Sequence, residues 1–135
     1  MNSLEKFAVY RKSIKFLAIA YSVVECIPRG HATLCDQLKR SSLSICLNIA
    51  EASGKVTVNE KRQHFTIARA SALESLAAVD VCRVIKIIDE GSFLAAKPLL
   101  EEIIAMLSIL CRGKRSVNAE AQVQAHAQVK VQGKG

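Results

Sequence analysis

The chain has few of the residues that build sheets and stacking surfaces. Its 135 residues include no tryptophan, and aromatic residues make up 4% of the total. Runs of β-branched residues are short, while Ala, Leu, Ile, Lys, Arg, Glu and Ser dominate. This composition favours helix over sheet. The scarcity of aromatic residues also argues against a surface on which single-stranded bases stack.

Long apolar runs are also absent. The most apolar windows, Phe16–Val24 and Leu99–Leu110, are interrupted by charges or are shorter than the roughly 20 residues needed to cross a bilayer. The N-terminal segment MNSLEKFAVY lacks the apolar core and cleavage site of a signal peptide. We therefore expect a soluble, cytoplasmic protein that has no contact with membranes.

The cysteines do not form a disulfide or metal pattern. There are five, an odd number, and most occupy apolar positions, which predicts reduced and buried thiols. Cys26, His31 and Cys35 lie around one predicted turn, but a structural zinc site needs four ligands and usually a closely paired Cys-x₂₋₄-Cys unit. We expect no metal and no cofactor.

Motifs of catalysis are missing as well. Neither a GxxxxGK phosphate loop nor a GxGxxG turn occurs. Ser41, Ser42 and Ser44 have no strand–turn–helix elbow around them, and His64 and His126 have no motif partner. We expect a protein that is not an enzyme.

Positive charge is abundant and unevenly distributed. The net charge is +7, of which residues 1–62 contribute +5, residues 63–111 contribute −2 and residues 112–135 contribute +4. A field of this sign attracts phosphate backbones or other anionic partners. The alternative is an ordinary solvated surface without a ligand.

Apolar residues spaced three and four apart predict four helices. The first covers residues 4–27 and is broken by the Pro-Arg-Gly sequence that follows it. The second starts at residues 31–33 and extends to Gly54, which we expect to end it in the left-handed conformation.

The third predicted helix is long, from about Asn59 to Asp89, with Thr57 or Asn59 as its cap. Ser92 could cap the fourth, but Pro98 suits a first turn and places its start near residue 97. Short connections then predict an all-α fold, an antiparallel up-down four-helix bundle over residues 1–112. Residues 113–135 read as a basic, low-complexity flexible tail, with an edge strand as the alternative.

Polar residues interrupt the apolar patterns of helices two and three. Because a buried charge is costly unless it is paired, we predict a structural polar network, for example between Glu51 and Arg69, that fixes helix register. The alternative is a catalytic pocket around Asn48, Glu51 and Arg69. The predicted network contains Asn48, Glu51, Arg69 and Glu74.

Helix two is apolar on two sides. One row faces the predicted core, and the other needs a second partner, which a neighbouring subunit would supply. The alternative is that a single chain buries both rows. The first row is Leu38, Ile45 and Ile49, and the second is Leu43, Leu47 and Ala50.

Two segments carry a family resemblance. QLKRSSLSICLNIAEASGK (Gln37–Lys55) and EKRQHFTIARASALESLAAVDV (Glu60–Val81) contain a basic pair, Ser-rich apolar residues, Asn-Ile-Ala-Glu, and a later Ala-Arg-Ala-Ser-x-x-Glu helix. They resemble the 23S rRNA intervening-sequence proteins, a family that includes the accessory variability protein of diversity-generating retroelements. The matching residues are Ser41, Ser44, Asn48, Ile49, Ala50, Glu51, Phe65, Ala68, Arg69, Ser71 and Glu74.

The resemblance covers residues 4–111, with Cys46 in place of a common Pro and Ala52 in place of a common Gly. Both departures favour a straighter second helix. The resemblance implies a bundle that assembles as a ring-like homopentamer, without known catalysis. For the retroelement member it also implies binding to nucleic acid and to a reverse transcriptase.

The leading hypothesis is a non-enzymatic, oligomeric helical-bundle protein that binds RNA or DNA backbone through a basic surface. The alternative is an adaptor or scaffold for an acidic protein partner that ignores nucleic acid. Arg112, Lys114 and Arg115 would reinforce the basic surface. The main candidates for phosphate contacts are Arg11, Lys12, Lys15, Lys39, Arg40, Lys55, Lys61 and Arg62.

Overall fold

The fold of residues 7–112 is described by a computed structural model. Residues 1–6 and the predicted tail at 113–135 lie outside this described part of the chain. Four helices and no strands occur within it, which confirms the all-α prediction. They are α1 (Ala8–Cys26), α2 (Ala32–Gly54), α3 (Val58–Val84) and α4 (Glu90–Arg112).

Consecutive helices run in opposite directions. Along α2 and α3, Ser41 bonds to Ser75 and Ser44 to Ser71, so one helix rises as the other descends. Contacts from α3 to α4 follow the same antiparallel order. Each helix packs on its two neighbours, and α1 closes the bundle against α4. This is the up-down arrangement that short connections favour.

Large side chains from three helices meet in the core. Phe16, Leu38, Ile45, Leu100 and Ile103 are all 0% exposed. Full burial of such a side chain contributes roughly 1.5–3 kcal/mol. From α3 the core receives mainly small residues, which allow α2 to approach closely; they include Ala68, Ser71, Ala72 and Ser75.

Two predicted helix ends differ from the structure. Gly54 is the last residue of α2 and is not left-handed; the extended backbone of Lys55 ends the helix. α3 ends at Val84, five residues before the predicted end at Asp89. Lys86 adopts φ 62° there, and the amide of Ile87 donates to the Cys82 carbonyl, as in a Schellman motif. The predictions missed this stop because Lys is unusual in that conformation.

The start of α4 was also predicted too late. α4 begins at Glu90, where the side chain of Asp89 accepts a hydrogen bond of 2.6 Å from the Ser92 amide. Pro98 lies inside the helix on its exposed side, not in its first turn. An acidic cap therefore sets the start of α4, and the proline is tolerated two turns later.

The five cysteines all lie in the described residues and are free thiols. Cys46 and Cys82 are buried, and burial raises the pKa of both thiols, which keeps them protonated and weakly reactive. The prediction of burial fails for Cys26, which is exposed. Within residues 7–112, none of the helices combines the length and hydropathy needed to cross a membrane.

Candidate nucleic-acid interface

The up-down topology gathers four helix termini at one end of the bundle. The start of α1, the end of α2, the start of α3 and the end of α4 meet there. We call this the basic end and define it as the five terminal residues of each helix there, together with the α2–α3 loop. The same definition at the other pole, with its two loops, gives the opposite end.

Charge differs sharply between the two ends. In the described residues, the basic end carries six basic side chains against two acidic ones, whereas the opposite end carries three against five. The acidic residues of the basic end are Glu51 and Glu60. Its basic residues are Arg11, Lys12, Lys55, Lys61, Arg62 and Arg112. Five of the eight predicted phosphate contacts are thereby brought together.

Some of these cations already form contacts within the chain. Lys12 lies 2.9 Å from Glu102, and its hydrogen bond and charge lower the pKa of that carboxyl. Lys55 lies 3.9 Å from Glu51 in an i, i+4 pair. Exposed pairs of this kind are screened by water and contribute little to stability, so a phosphate can compete for the cation.

The side chain of Arg62 joins two helices of the bundle at the basic end. Its Nη2 donates a 3.0 Å hydrogen bond to the carbonyl oxygen of Arg112, in the last turn of α4. A cation at this position complements the negative end of the helix dipole. The Nε of Arg62 is buried and has no hydrogen-bond partner among the described residues. The side chain therefore links α3 to the end of α4.

Of the three remaining predicted contacts, Lys39 and Arg40 lie along the bundle, away from the basic end. Lys15 is exposed on α1, one turn from Arg11 and Lys12, and its charge adds to the effect of Lys12 in lowering the pKa of Glu102. The Lys39 ammonium lies 5.9 Å from the centre of the Tyr21 ring, and Arg40 forms an ion pair with Glu74. Lys15 therefore extends the basic end by one turn of α1, whereas Lys39 and Arg40 lie apart from it.

The predicted network between Glu51 and Arg69 is wrong. Glu51 is exposed and pairs with Lys55, while Arg69 donates a 2.8 Å hydrogen bond to Ser108 on α4. Asn48 instead bonds to Ser44 and His64. The four network residues thus have separate partners, and the catalytic alternative around Asn48, Glu51 and Arg69 loses its geometric basis.

A different polar network joins α2 to α3, and we call it the serine ladder. Ser41 and Ser75 are 2.7 Å apart, as are Ser44 and Ser71. Asn48 donates to Ser44, and its oxygen lies 3.2 Å from His64 Nδ1. The signal for this ladder was present in the sequence as polar residues three to four apart on both helices. It was missed because hydroxyl pairing depends on the relative register of the two helices.

Two further features of the described residues concern metal ions and surface depressions. Within residues 7–112, no group of three or more His, Cys, Asp or Glu side chains is arranged to hold a metal ion. The surface depression beside the end of α2 is lined by Leu47, Ala50, Glu51, Gly54 and Lys55, which include only one ion pair.

Comparisons with known proteins identify the fold and the family. The crystal structure of a protein of unknown function from the S23 ribosomal protein family of Bacteroides thetaiotaomicron is similar, with a TM-score of 0.72. It is 19% identical, and the match covers 78% of this chain and 100% of that one, so the likeness concerns the fold. No curated protein matches.

The family comparison covers most of the chain. The sequence pattern of the 23S rRNA-intervening sequence proteins matches residues 5–109, which include α1, α2, α3 and all but the last three residues of α4. The same region carries the serine ladder and the residues that gave the resemblance. This protein therefore belongs to the family of 23S rRNA-intervening sequence proteins.

Proposed function

We propose that this protein is a non-enzymatic, self-assembling helical bundle that binds the phosphate backbone of RNA or DNA through its basic end. The observation that carries the proposal is the segregation of charge, with six basic side chains against two acidic ones at one end. A concentrated positive field attracts polyanions and releases their counterions on binding.

Backbone contact predicts little sequence preference. Phosphates are the same along every sequence, whereas base edges differ. The aromatic residues near the basic end are Phe7, Tyr10 and Phe65. Phe65 is buried, while Phe7 and Tyr10 are half-buried and pack against the core, and the rings of Phe7 and Phe65 have centroids 6.1 Å apart. They are not placed for base stacking, which favours duplex or structured nucleic acid over an open single strand.

Self-assembly is the second part of the proposal. Leu43 and Leu47, from the second apolar row of α2, are 40% and 55% exposed, while the first row is completely buried. The row that the bundle core does not use is available to a neighbouring subunit. The family resemblance makes a homopentamer the expected assembly.

The test measures binding of the full chain to duplex RNA and to duplex DNA of equal length. Fluorescence anisotropy gives the affinity at about 50 and at about 200 mM salt. We expect binding to both duplexes and a steep loss of affinity at the higher salt. Affinity no greater than that of an acidic control protein of similar size would overturn the proposal. Capture of an acidic protein that persists after nuclease treatment would then favour the adaptor alternative.

A further inference from the structure

The outer face of α3 is uncharged over most of its length. Between His64 and Arg83, every exposed residue of α3 is apolar or neutral, and Ile67, Leu73 and Val81 are each more than 40% exposed. The charged residues of this stretch are half-buried and contact neighbouring helices. We call this surface the α3 stripe; it comprises Ile67, Ala70, Leu73, Ala77, Val81 and Val84.

The outer faces of the other helices are different. α1 exposes Lys15, and α4 exposes Glu101 and Glu102 in its middle turns. A helix that faces water on its outer side normally carries charges there. The α3 stripe therefore has the composition of a face that is covered by another apolar surface.

We propose that Leu43 and Leu47 of one copy pack onto the α3 stripe of a neighbouring copy. The inference rests on the proposed self-assembly and names the two surfaces that meet. The two leucines are one turn apart and project from the surface of α2. On the stripe, Ala70 and Ala77 flank Leu73 and leave a hollow of the kind into which leucine side chains pack between helices.

The stripe is long enough to receive several turns of a partner helix. From Ile67 to Val84 it extends about 25 Å at the 1.5 Å rise per residue of a helix. A standard interface buries about 800 Å² on each partner, so a stripe one helix wide forms only a part of such a contact, with the residues beside it supplying the rest. An acidic partner would find no exposed cation on the stripe to pair with, whereas a second copy offers an apolar leucine pair.

The two surfaces are different patches on the same chain, so each copy uses one to bind the copy before it and the other to bind the copy after it. Such a head-to-tail contact closes into a ring when the rotation between copies permits. A symmetric dimer would instead place the same patch of both copies together.

The experiment uses Leu47→Glu and Ala77→Glu in the full chain, with mass measured by analytical ultracentrifugation over a concentration series. Because each variant places a carboxylate in the apolar contact, each alone should weaken self-association at least about 100-fold. In an equimolar mixture, the Ala77→Glu chain keeps its leucine pair and the Leu47→Glu chain keeps its stripe. We expect the mixture to form a heterodimer of twice the 14.7 kDa chain mass.

Leu94→Glu is the matched control, because Leu94 is an exposed leucine on α4, outside both surfaces. It should keep the wild-type mass, and circular dichroism should show wild-type helicity for all three variants. Two monomeric variants that form no heterodimer when mixed would overturn the pairing, as would wild-type mass for either variant alone. A wild-type chain that is monomeric at all concentrations would overturn the proposed self-assembly as well. Its nucleic-acid affinity is measured in a separate experiment, so the two parts of the proposed function are tested independently.

Discussion

Small hydroxyl side chains hold α2 and α3 in register. Ser41 and Ser75 are both 0% exposed, and their oxygens are 2.7 Å apart. A hydrogen bond of this kind contributes about 1 kcal/mol net, but a buried hydroxyl left without a partner costs about 1–3 kcal/mol. The pair therefore penalises any slip of one helix along the other.

Replacing one serine should cost more than replacing both. Ser75→Ala leaves Ser41 with only a long 3.4 Å contact to the Leu38 carbonyl, so we expect a loss of about 1–2 kcal/mol. The double variant Ser41→Ala, Ser75→Ala should recover most of that loss, because it leaves no buried hydroxyl without a hydrogen-bond partner. Urea unfolding of the wild type, both single variants and the double variant measures this coupling. Strictly additive losses would show that the hydroxyls act independently.

A single residue at the end of α3 carries backbone strain. Lys86 has a φ of 62°, in the left-handed region that glycine adopts without steric cost. We predict that Lys86→Gly raises the free energy of unfolding by about 0.5–1 kcal/mol. Lys86→Ala, which keeps the Cβ, is the control and should give no comparable gain. Equal stability of the two variants in urea unfolding would contradict the steric explanation.

At the scale of the helix, α4 depends on an acidic cap. The Asp89 carboxylate accepts a hydrogen bond from the Ser92 backbone amide, and this bond lowers the pKa of Asp89 below its ordinary 3.8. The unfolded chain therefore takes up the proton first as pH falls. The stabilisation is complete above the ordinary pKa and is lost as pH falls through the lower folded-state value.

Asp89→Asn tests this cap, because asparagine keeps the acceptor oxygen but not the charge. The wild type should be more stable than the variant at pH 7, and the difference should shrink as pH falls from about 5 to about 2. Thermal unfolding across this range measures it, and the subtraction removes most of the effect of the other carboxylates. A difference that does not change with pH would contradict a role for the charge.

The number of helices could be predicted from the sequence, but several of their ends could not. Apolar residues three and four apart specify a buried face wherever it falls, and this pattern located all four helices. The ends depend on single backbone conformations. Lys86 takes a position where glycine is usual, and Gly54, a usual stop, stays in the helix.

The candidate site was predictable only in part. Charge composition pointed to basic segments, and the topology then brought five of the predicted cations to one end. The partners of Glu51 and Arg69 could not be predicted from the sequence. Two side chains on neighbouring helices face each other only when both helices have a particular rotation about their axes. Glu51 instead lies at the surface beside Lys55, the residue that directly follows α2.

At the scale of the whole molecule, the fold separates charge from apolar surface. Cations collect at the basic end, while the exposed apolar residues of α2 and α3 lie along the sides of the bundle. Assembly through the sides would leave the ends uncovered, so several basic ends could engage one polyanion. Linking sites in this way raises the apparent affinity without a new contact.

The most direct test of the central claim compares the two ends of the bundle. The double variant Lys55→Gln, Lys61→Gln removes two charges from the basic end, and Arg29→Gln, Lys86→Gln removes two from the opposite end. Duplex binding is measured for both, and for the wild type, over a series of salt concentrations. Log affinity falls as log salt rises, and the account predicts that this fall becomes less steep for the basic-end variant alone. The magnitude of its slope should be smaller than that of the wild type by about 2. Equal slopes for the two variants would contradict it.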